Sequence, residues 1–237
     1  MSDARYLRQV MTPGVGLGGQ ARIAAARAVV VGAGGLGTHV AAALWSAGVG
    51  ALDLYDGDVV EASNLARQLR YCPADIGRAK AEVLRERLLL NRDETGLTAF
   101  AKTIDANNAE AALRGAQVVC DCTDNAASRL LFDATCADLG VPLVYGAVRG
   151  WLGYVAVFGG AAGVRLTDVF AEAQLLEEAE ACDVAGVMGV ACGVIGHVQA
   201  GEALKVVLGE GSEADGGLVA VDLRRLAFRV LHLQRVA

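Results

Sequence analysis

Ala28-Val29-Val30-Val31 runs directly into Gly32-Ala33-Gly34-Gly35-Leu36-Gly37, and a stretch of helical character follows to about Ala47. A short β-branched strand, a Gly-x-Gly-x-x-Gly loop and a helix form the arrangement that binds dinucleotides and related phosphates. The glycines permit a tight turn and a close approach of phosphate, and the helix N-terminus supplies backbone N–H groups with partial positive charge. We therefore predict that the loop glycines surround a phosphate-bearing ligand. These glycines are Gly32, Gly34, Gly35 and Gly37.

Outward from this loop, apolar strand-like runs alternate with helix-like runs. The predicted strands lie at 51–55, 98–103, 117–120, 143–148 and 154–158, and the predicted helices at 76–91 and 185–208. Such alternation predicts an α/β fold, with a Rossmann-like, doubly wound and mostly parallel sheet that carries helices on both faces. The last two predicted strands flank Arg149-Gly150-Trp151. We expect them to pair as an antiparallel C-terminal portion of the sheet.

Composition excludes several classes of protein. Of 237 residues, 54% are hydrophobic and 20% are charged, which excludes a disordered chain. The net charge of −6 provides no basic surface of the kind that binds nucleic acid or anionic lipid. The first residues lack the pattern of a signal peptide, and polar residues interrupt the two most apolar stretches, 28–54 and 184–208. We therefore expect a cytoplasmic protein with reduced cysteines and without nucleic-acid or membrane partners.

An acidic side chain ends the second predicted strand. Asp56 lies 19 residues after Gly37. At this place in a dinucleotide-binding unit, a carboxylate accepts hydrogen bonds from ribose hydroxyls. The glycine loop and this acid together leave NAD, FAD, S-adenosylmethionine and ATP open as ligands.

Two bases favour ATP among these ligands. Arg67 ends the run Ser63-Asn64-Leu65-Ala66-Arg67, and Lys80 lies in the first turn of a predicted helix. The glycine loop largely satisfies the pyrophosphate diester of a nicotinamide cofactor, whereas the β and γ phosphates of ATP need discrete cations. Either base alone is typical of a solvated surface, but the ordered set favours ATP.

Asp124 and Asn125 follow the strand predicted at 117–120. Because ligands of doubly wound sheets lie beyond the carboxyl ends of the strands, the glycine loop, Asp56 and Asp124 should face one crevice. Mg²⁺ prefers carboxylate oxygens together with substrate phosphates, so Asp124 is the candidate metal ligand. The same position is also typical of a helix N-cap, and the two interpretations are compatible.

Two other functions use part of the same pattern. A nicotinamide-dependent oxidoreductase would explain the glycine loop and Asp56, but it leaves Arg67, Lys80 and Asp124 unexplained. A non-catalytic, dimeric binding module would retain the nucleotide pocket as structure only.

The ordered series of motifs resembles the MoeB/ThiF/HesA family, bacterial relatives of the ubiquitin-activating enzymes, over nearly the whole chain. The motifs are Arg5-Tyr6-x-Arg8-Gln9, Gly32-x-Gly-Gly-Leu-Gly37, Asp56, Ser63-Asn-Leu-x-Arg67-Gln68, Lys80, Asp121-Cys-Thr-Asp-Asn125 and Gly186-Val-Met-Gly189. The resemblance implies one adenylation domain over residues 1–237, with an N-terminal helical arm at 1–20 and a crossover loop at 159–183. It implies an adenylyltransferase that uses ATP to activate the C-terminal carboxylate of a small ubiquitin-like protein, often a sulfur carrier ending in Gly-Gly.

The resemblance also assigns residue roles. ATP contacts would come from Gly35, Asp56, the stretch from Ser63 to Arg67, Lys80, Asp124 and Asn125. Asp124 would hold Mg²⁺. Arg8 would reach the phosphates bound by the partner subunit, because members of the family work as homodimers.

Two cysteine features of the family need separate treatment. Many members bind a structural zinc with two CxxC pairs, but the matching regions 159–163 and 231–237 contain no cysteine, so we predict no zinc. Cys182 has the spacing of the crossover-loop cysteine, which in some members takes up the activated carrier and in others is dispensable. The neighbouring Glu180 and Asp183 disfavour its thiolate. A covalent role and a bystander thiol therefore both stay open for Cys182.

Overall fold

A computed structural model describes residues 4–92, 94–170 and 186–233, and its centre is one eight-stranded sheet. The strands are β1 (Arg27–Val31), β2 (Ala51–Tyr55), β3 (Leu97–Phe100), β4 (Val118–Asp121), β5 (Leu143–Arg149), β6 (Leu152–Phe158), β7 (Gly217–Asp222) and β8 (Ala227–His232). Their spatial order is β3-β2-β1-β4-β5-β6-β7-β8. The first five strands of this order pair in parallel, and β5 to β8 pair antiparallel. The predicted fold class is confirmed, including the antiparallel C-terminal portion.

Helices connect the strands and cover both faces. They are α1 (Leu7–Val10), α2 (Gly16–Ala25), α3 (Gly37–Ala47), α4 (Lys80–Leu89), α5 (Ala109–Leu113), α6 (Ala126–Leu139), α7 (Leu166–Val169) and α8 (Gly189–Leu208). Buried residues of α3, α4 and α8 form one apolar layer with the sheet. Buried residues of α5, α6 and α7 form a second layer on the opposite face. The sheet is therefore doubly wound, as the alternation of elements predicts.

The second predicted helix begins later than expected. The apolar pattern predicts a start at Ile76, but Gly77 adopts φ +86° and Ala79 is extended, so that α4 begins at Lys80. Residues Pro73–Asp75 form a short 3-10 turn instead. This late start leaves Lys80 at the N-terminus of α4, next to the loop that follows β2.

The described part of the crossover loop, residues 159–170, contains the short helix α7 and otherwise has no regular secondary structure. Residues 171–183 of that loop, including Cys182, lie outside the described residues. A carboxylate holds the turn at 159–163. Asp215 accepts hydrogen bonds from the backbone N–H groups of Ala161 at 2.8 Å and Ala162 at 3.1 Å. These two hydrogen bonds anchor the turn to Asp215.

Helix α8 is long and apolar, and by length and composition alone it could span a membrane. Its buried residues include Ile195, Ala200 and Ala203, and they pack in the layer shared with α3 and the sheet. A methyl group at Gly196 would lie 3.0 Å from the carbonyl oxygen of Leu36, so the two helices cross in close contact. We interpret α8 as a core helix, as its interruptions by polar residues predict.

Candidate functional site

The sheet register brings three loops together at one edge. Val31 at the end of β1 pairs with Tyr55 on one side and with Asp121 on the other. The segments after these three strands therefore emerge side by side at their carboxyl ends. From β1 the chain passes through α3 to β2, and from the neighbouring strand β4 it passes through α6 to β5, in the opposite direction across the sheet. The carboxyl ends of β1 and β4 therefore form the topological switch point of the sheet.

The glycine loop packs tightly against the segment that follows β4. Gly32 adopts φ +94°, and a methyl group there would lie 2.8 Å from the carbonyl oxygen of Cys122. A methyl group at Gly37 would overlap the carbonyl oxygen of Gly32. The backbone N–H groups of Gly34, Gly35 and Leu36 donate no hydrogen bond within the described residues. Such free N–H groups at a helix N-terminus fit phosphate oxygens.

Asp56 supports the glycine loop from the end of β2. Its Oδ2 accepts a hydrogen bond from the N–H of Ala33 at 2.6 Å, and its Oδ1 accepts one from the N–H of Asp58 at 2.7 Å. Burial raises the pKa of this carboxyl, against the opposing effect of these two bonds and of Lys80. The sequence predicts a ribose contact for Asp56, and the bracing of Ala33 is a further function that the pattern does not reveal.

Lys80 places a nearly buried ammonium group beside the same loop. Its side chain is only 8% exposed, and its Nζ lies 2.8 Å from Oδ2 of Asp58, whose side chain is 73% exposed. Lys80 also acts electrostatically on Asp56. An exposed carboxylate can turn away when a stronger anion arrives, so Lys80 suits a phosphate.

Arg67 also lies beside the glycine loop, at Gly35. Its Nη1 donates to the carbonyl oxygen of Ser63 at 3.0 Å, and its Cγ would lie 3.8 Å from a methyl group on Gly35. The first residue of α8, Gly189, packs on this segment, since a methyl group there would lie 2.6 Å from the carbonyl oxygen of Ala66. The N-terminus of α8 therefore supports the stretch 63–67 by direct packing.

The remaining residues of that stretch differ in exposure. Asn64 is buried, and its Oδ1 accepts a hydrogen bond from the N–H of Glu61 at 3.2 Å. Ser63 and Ala66 are exposed, and Leu65 is partly buried. Asn64 thus shapes the turn, while Ser63 and Ala66 are open to a ligand.

Asp124 follows Thr123 in the loop after β4 and is exposed. It makes no hydrogen bond or ion pair with any residue that the structure describes. The cap of α6 belongs to Asn125, whose Oδ1 accepts from the N–H of Ser128 at 2.9 Å. The interpretation of Asp124 as an N-cap is therefore wrong, because the next residue has that role. An exposed carboxylate that is free of protein partners fits the oxygen ligand that Mg²⁺ prefers.

Arg8 is far from the glycine loop of its own chain. The N-terminal arm docks at the end of α3, where Nε2 of Gln9 donates to the carbonyl oxygen of Ala47 at 2.9 Å. Helix α3 runs from the glycine loop to Ala47, so Arg8 lies near the opposite edge of the sheet. Its side chain is exposed. The structure therefore groups Arg67, Lys80 and Asp124 around one loop and leaves Arg8 apart from them.

The described cysteines are all free, and most of them are buried as expected. Cys192 packs under the glycine loop, since its Sγ would lie 2.8 Å from a methyl group on Gly35, and burial raises the pKa of its thiol. Cys72 departs from the prediction because it is only partly buried, with its Sγ 3.2 Å from Oδ2 of Asp75.

Tyr71 is a residue of this site that no motif indicates. Its buried hydroxyl lies 2.7 Å from the carbonyl oxygen of Ala33 and 3.2 Å from that of Lys80, and these two acceptors share its single proton. It joins the glycine loop to the first residue of α4. Burial raises the pKa of this hydroxyl, so it stays protonated as a donor.

Replacing Tyr71 with phenylalanine should loosen this connection. We expect a loss of about 1–2 kcal/mol in the free energy of unfolding, because two buried carbonyl groups lose their donor. Tyr154→Phe is the matched control, since the Tyr154 hydroxyl makes no hydrogen bond within the described residues. Urea unfolding of both variants measures the difference. Equal stability of the two variants would contradict the bridging role.

These groups can bind an anionic ligand at one edge of the sheet. The free N–H groups belong to the glycine loop, which Arg67 approaches at Gly35 and beside which Lys80 acts on Asp56, and the loop that carries Asp124 adjoins Gly32. Fixed donors and cations of this kind stabilise phosphate oxygens and the charge that develops on them during a reaction. The site is therefore suited to phosphoryl or nucleotidyl transfer.

Comparison with known proteins shows similarity over almost the whole chain. The ThiF family model matches residues 6–236. The chain is 39% identical over 236 residues to the sulfur carrier protein adenylyltransferase of Thermus thermophilus, covering 98% of this chain and 87% of that protein. It is 34% identical over 225 residues to the probable molybdopterin-synthase adenylyltransferase of Gracilaria tenuistipitata. That match covers 95% of this chain but only 63% of the length of the relative.

Among solved structures, the fold is similar to that of Escherichia coli MccB determined with ATP. The TM-score is 0.83 at 17% sequence identity, and the match covers 99% of this chain and 73% of MccB. At this level of identity the likeness concerns the fold.

Proposed function

This chain belongs to the ThiF family, and from that premise we propose that it is an ATP-dependent adenylyltransferase acting on a small ubiquitin-like sulfur-carrier protein that ends in Gly-Gly. The observation that carries the proposal is the grouping of Arg67, Lys80 and the free N–H groups around one glycine loop. The named activities of the relatives from Thermus and Gracilaria support it.

In the proposed reaction, the C-terminal carboxylate of the carrier attacks the α-phosphorus of ATP. The bond between the α-phosphorus and the bridging oxygen breaks, and pyrophosphate leaves with that oxygen, so that the products are an acyl-adenylate and pyrophosphate. A terminal carboxyl group has a pKa of about 3.5 and is ionised at neutral pH, so no general base is needed. The barrier is the approach of one anion to another.

The N–H groups and positively charged side chains of the site lower this barrier. The N–H groups of Gly34 and Gly35 bind phosphate oxygens, Lys80 exchanges Asp58 for a phosphate, and Arg67 neutralises charge on the departing pyrophosphate. Asp56 braces the loop and receives the ribose hydroxyls. Asp124 holds Mg²⁺, which when bound neutralises phosphate charge, and Asn125 and the stretch 63–67 complete the ATP contacts.

We assign the protein to the cytoplasm and assume a homodimer. The free cysteines of the described residues suit a reducing compartment. Leu7, Met11 and Leu17 of the N-terminal arm are more than half exposed apolar side chains around Arg8, which suits a surface that a second subunit covers. In such a dimer Arg8 completes the nucleotide site of the partner. A covalent role and a bystander thiol both stay open for Cys182, and the absence of zinc stays a prediction.

Mixing two inactive variants tests the shared site. Arg8→Ala and Asp124→Ala subunits, mixed in equal amounts and allowed to exchange, should recover about a quarter of wild-type activity, because half of the dimers are heterodimers with one intact site each. The measurement is carrier-dependent ATP–pyrophosphate exchange before and after mixing. No recovery, although mass spectrometry shows heterodimers, would place Arg8 outside the partner's site.

Intact-mass spectrometry tests the activity itself. The protein, MgATP and a panel of purified carriers are incubated, and we expect one carrier to gain the mass of one AMP group at its terminal glycine. ATP binding without any modified carrier would favour the non-catalytic module, and tight NAD(H) binding without ATP binding would favour an oxidoreductase.

A further inference from the structure

A buried carboxyl side chain lies under the loop that carries Asp124. Asp121, at the end of β4, is fully buried, and its Oδ1 accepts from the N–H of Thr123 at 2.9 Å and from its hydroxyl at 2.6 Å. Its Oδ2 is buried without a hydrogen-bond partner among the described residues. Asp121 therefore fixes Thr123 from within the sheet through Oδ1 alone, and Oδ2 makes no hydrogen bond within the described residues.

Arg129, in the first turn of α6, supplies a positive charge close to this carboxyl group. It acts electrostatically on Asp121 and opposes the rise in the pKa of that carboxyl which burial causes. Its Nη2 donates to the carbonyl oxygen of Thr123 at 3.1 Å, and its Nη1 donates to the hydroxyl of Tyr145 at 3.0 Å. The guanidinium also lies 4.9 Å from the centre of the Tyr145 ring. Arg129 thus ties the loop after β4 to the neighbouring strand β5.

These contacts hold the backbone on both sides of Asp124. The preceding residue, Thr123, is anchored at its N–H by Asp121 and at its carbonyl oxygen by Arg129. The following residue, Asn125, is anchored as the cap of α6. Asp124 is the exposed residue between two fixed neighbours, so its backbone orientation depends on Arg129.

We propose that Arg129 is a positioning residue for the metal and pyrophosphate end of the nucleotide site, acting through Thr123 on Asp124 without touching ATP. This inference rests on the proposed function, because it assigns Asp124 to Mg²⁺. Partners behind a metal ligand set its orientation, and their loss costs about 10- to 100-fold in metal affinity.

The test measures metal binding directly, apart from turnover. Mn²⁺ binding is followed by electron paramagnetic resonance with wild-type protein and a nonhydrolysable ATP analogue, and nucleotide affinity without metal is measured beside it. We expect Arg129→Gln to weaken Mn²⁺ binding about tenfold while metal-free nucleotide affinity stays unchanged. Arg129→Lys keeps the charge but cannot span both acceptors, so it should recover only part of the affinity.

Two further variants keep the inference falsifiable if Arg129→Gln fails to fold. Tyr145→Phe removes one anchor and leaves the ring, so it should weaken Mn²⁺ binding by a smaller factor. Arg114→Gln is the matched control, since Arg114 is an exposed arginine on the turn after α5 that pairs with Glu110, and its Mn²⁺ affinity should equal that of the wild type. Wild-type affinity in the Arg129 and Tyr145 variants would overturn the inference alone, whereas a wild-type protein that binds no metal–nucleotide complex would overturn the proposed function as well.

Discussion

Asp124→Asn should lower the rate of carrier-dependent ATP–pyrophosphate exchange by about 10²- to 10³-fold, the usual cost of removing one stabilising group from a charged transition state. Asparagine keeps the shape of the side chain but loses the negative charge that would hold Mg²⁺. Because Asp124 is exposed and makes no hydrogen bond or ion pair within the described residues, the free energy of unfolding should change by less than about 0.5 kcal/mol. The activity loss should therefore occur without unfolding.

The matched control for this variant is Asp138→Asn, an exposed aspartate near the C-terminal end of α6. Exchange rates and melting temperatures of both variants are compared with the wild type. The control should keep the full rate. A fully active Asp124→Asn protein would remove Asp124 from the mechanism and leave the loop after β4 without an assigned chemical role.

Lys80→Met should lower kcat/KM for ATP by about 10²-fold. Methionine keeps most of the buried stem, so the change removes the ammonium group and little of the packing. The ion-pair partner, Asp58, is 73% exposed and can be solvated after the change, so stability should stay nearly constant. The loss should appear in ATP kinetics, while KM for the carrier stays near its original value.

Lys205→Met provides a comparison at the other end of α8. Lys205 pairs with Glu202 at 2.7 Å, far from the glycine loop, so this change also removes a lysine from an acidic partner. Its kcat/KM for ATP should match the wild type below the melting temperature. A similar loss in both variants would mean that Lys80 acts through folding and not through phosphate.

Local patterns explain why most of the fold could be predicted. The strand, glycine loop and helix at 27–47 are encoded within one continuous stretch, and β5 and β6 are apolar enough to stand out. The pattern of apolar residues does not predict the hairpin of β7 and β8. Strand β8 is exposed along nearly its whole length, so it shows no alternation of buried and exposed residues. The apolar pattern predicts too early a start for α4, because the turn sets the conformation of Gly77 and apolar periodicity does not report it.

The residues of the site also divide into those that sequence patterns predict and those that only the folded structure reveals. Predicted strands or motifs indicate the main residues of the site, which are the glycine loop, Asp56, Arg67, Lys80 and Asp124. The parallel pairing of the strands then places the loops that carry these residues at one edge of the sheet. Tyr71 and Arg129 make their contacts with residues that sequence spacing does not relate to them. No periodicity or motif reports such contacts, so only the folded structure reveals them.

The most direct test of the central claim compares two forms of one carrier in ATP–pyrophosphate exchange. One form ends in the free carboxylate of Gly-Gly, and the other is a synthetic carrier with a C-terminal amide. Because the reaction requires the terminal carboxylate as the attacking group, the free form should support exchange and the amide should support none. Equal exchange with both forms, or none with either while NAD(H) binds tightly and ATP does not, would contradict the account.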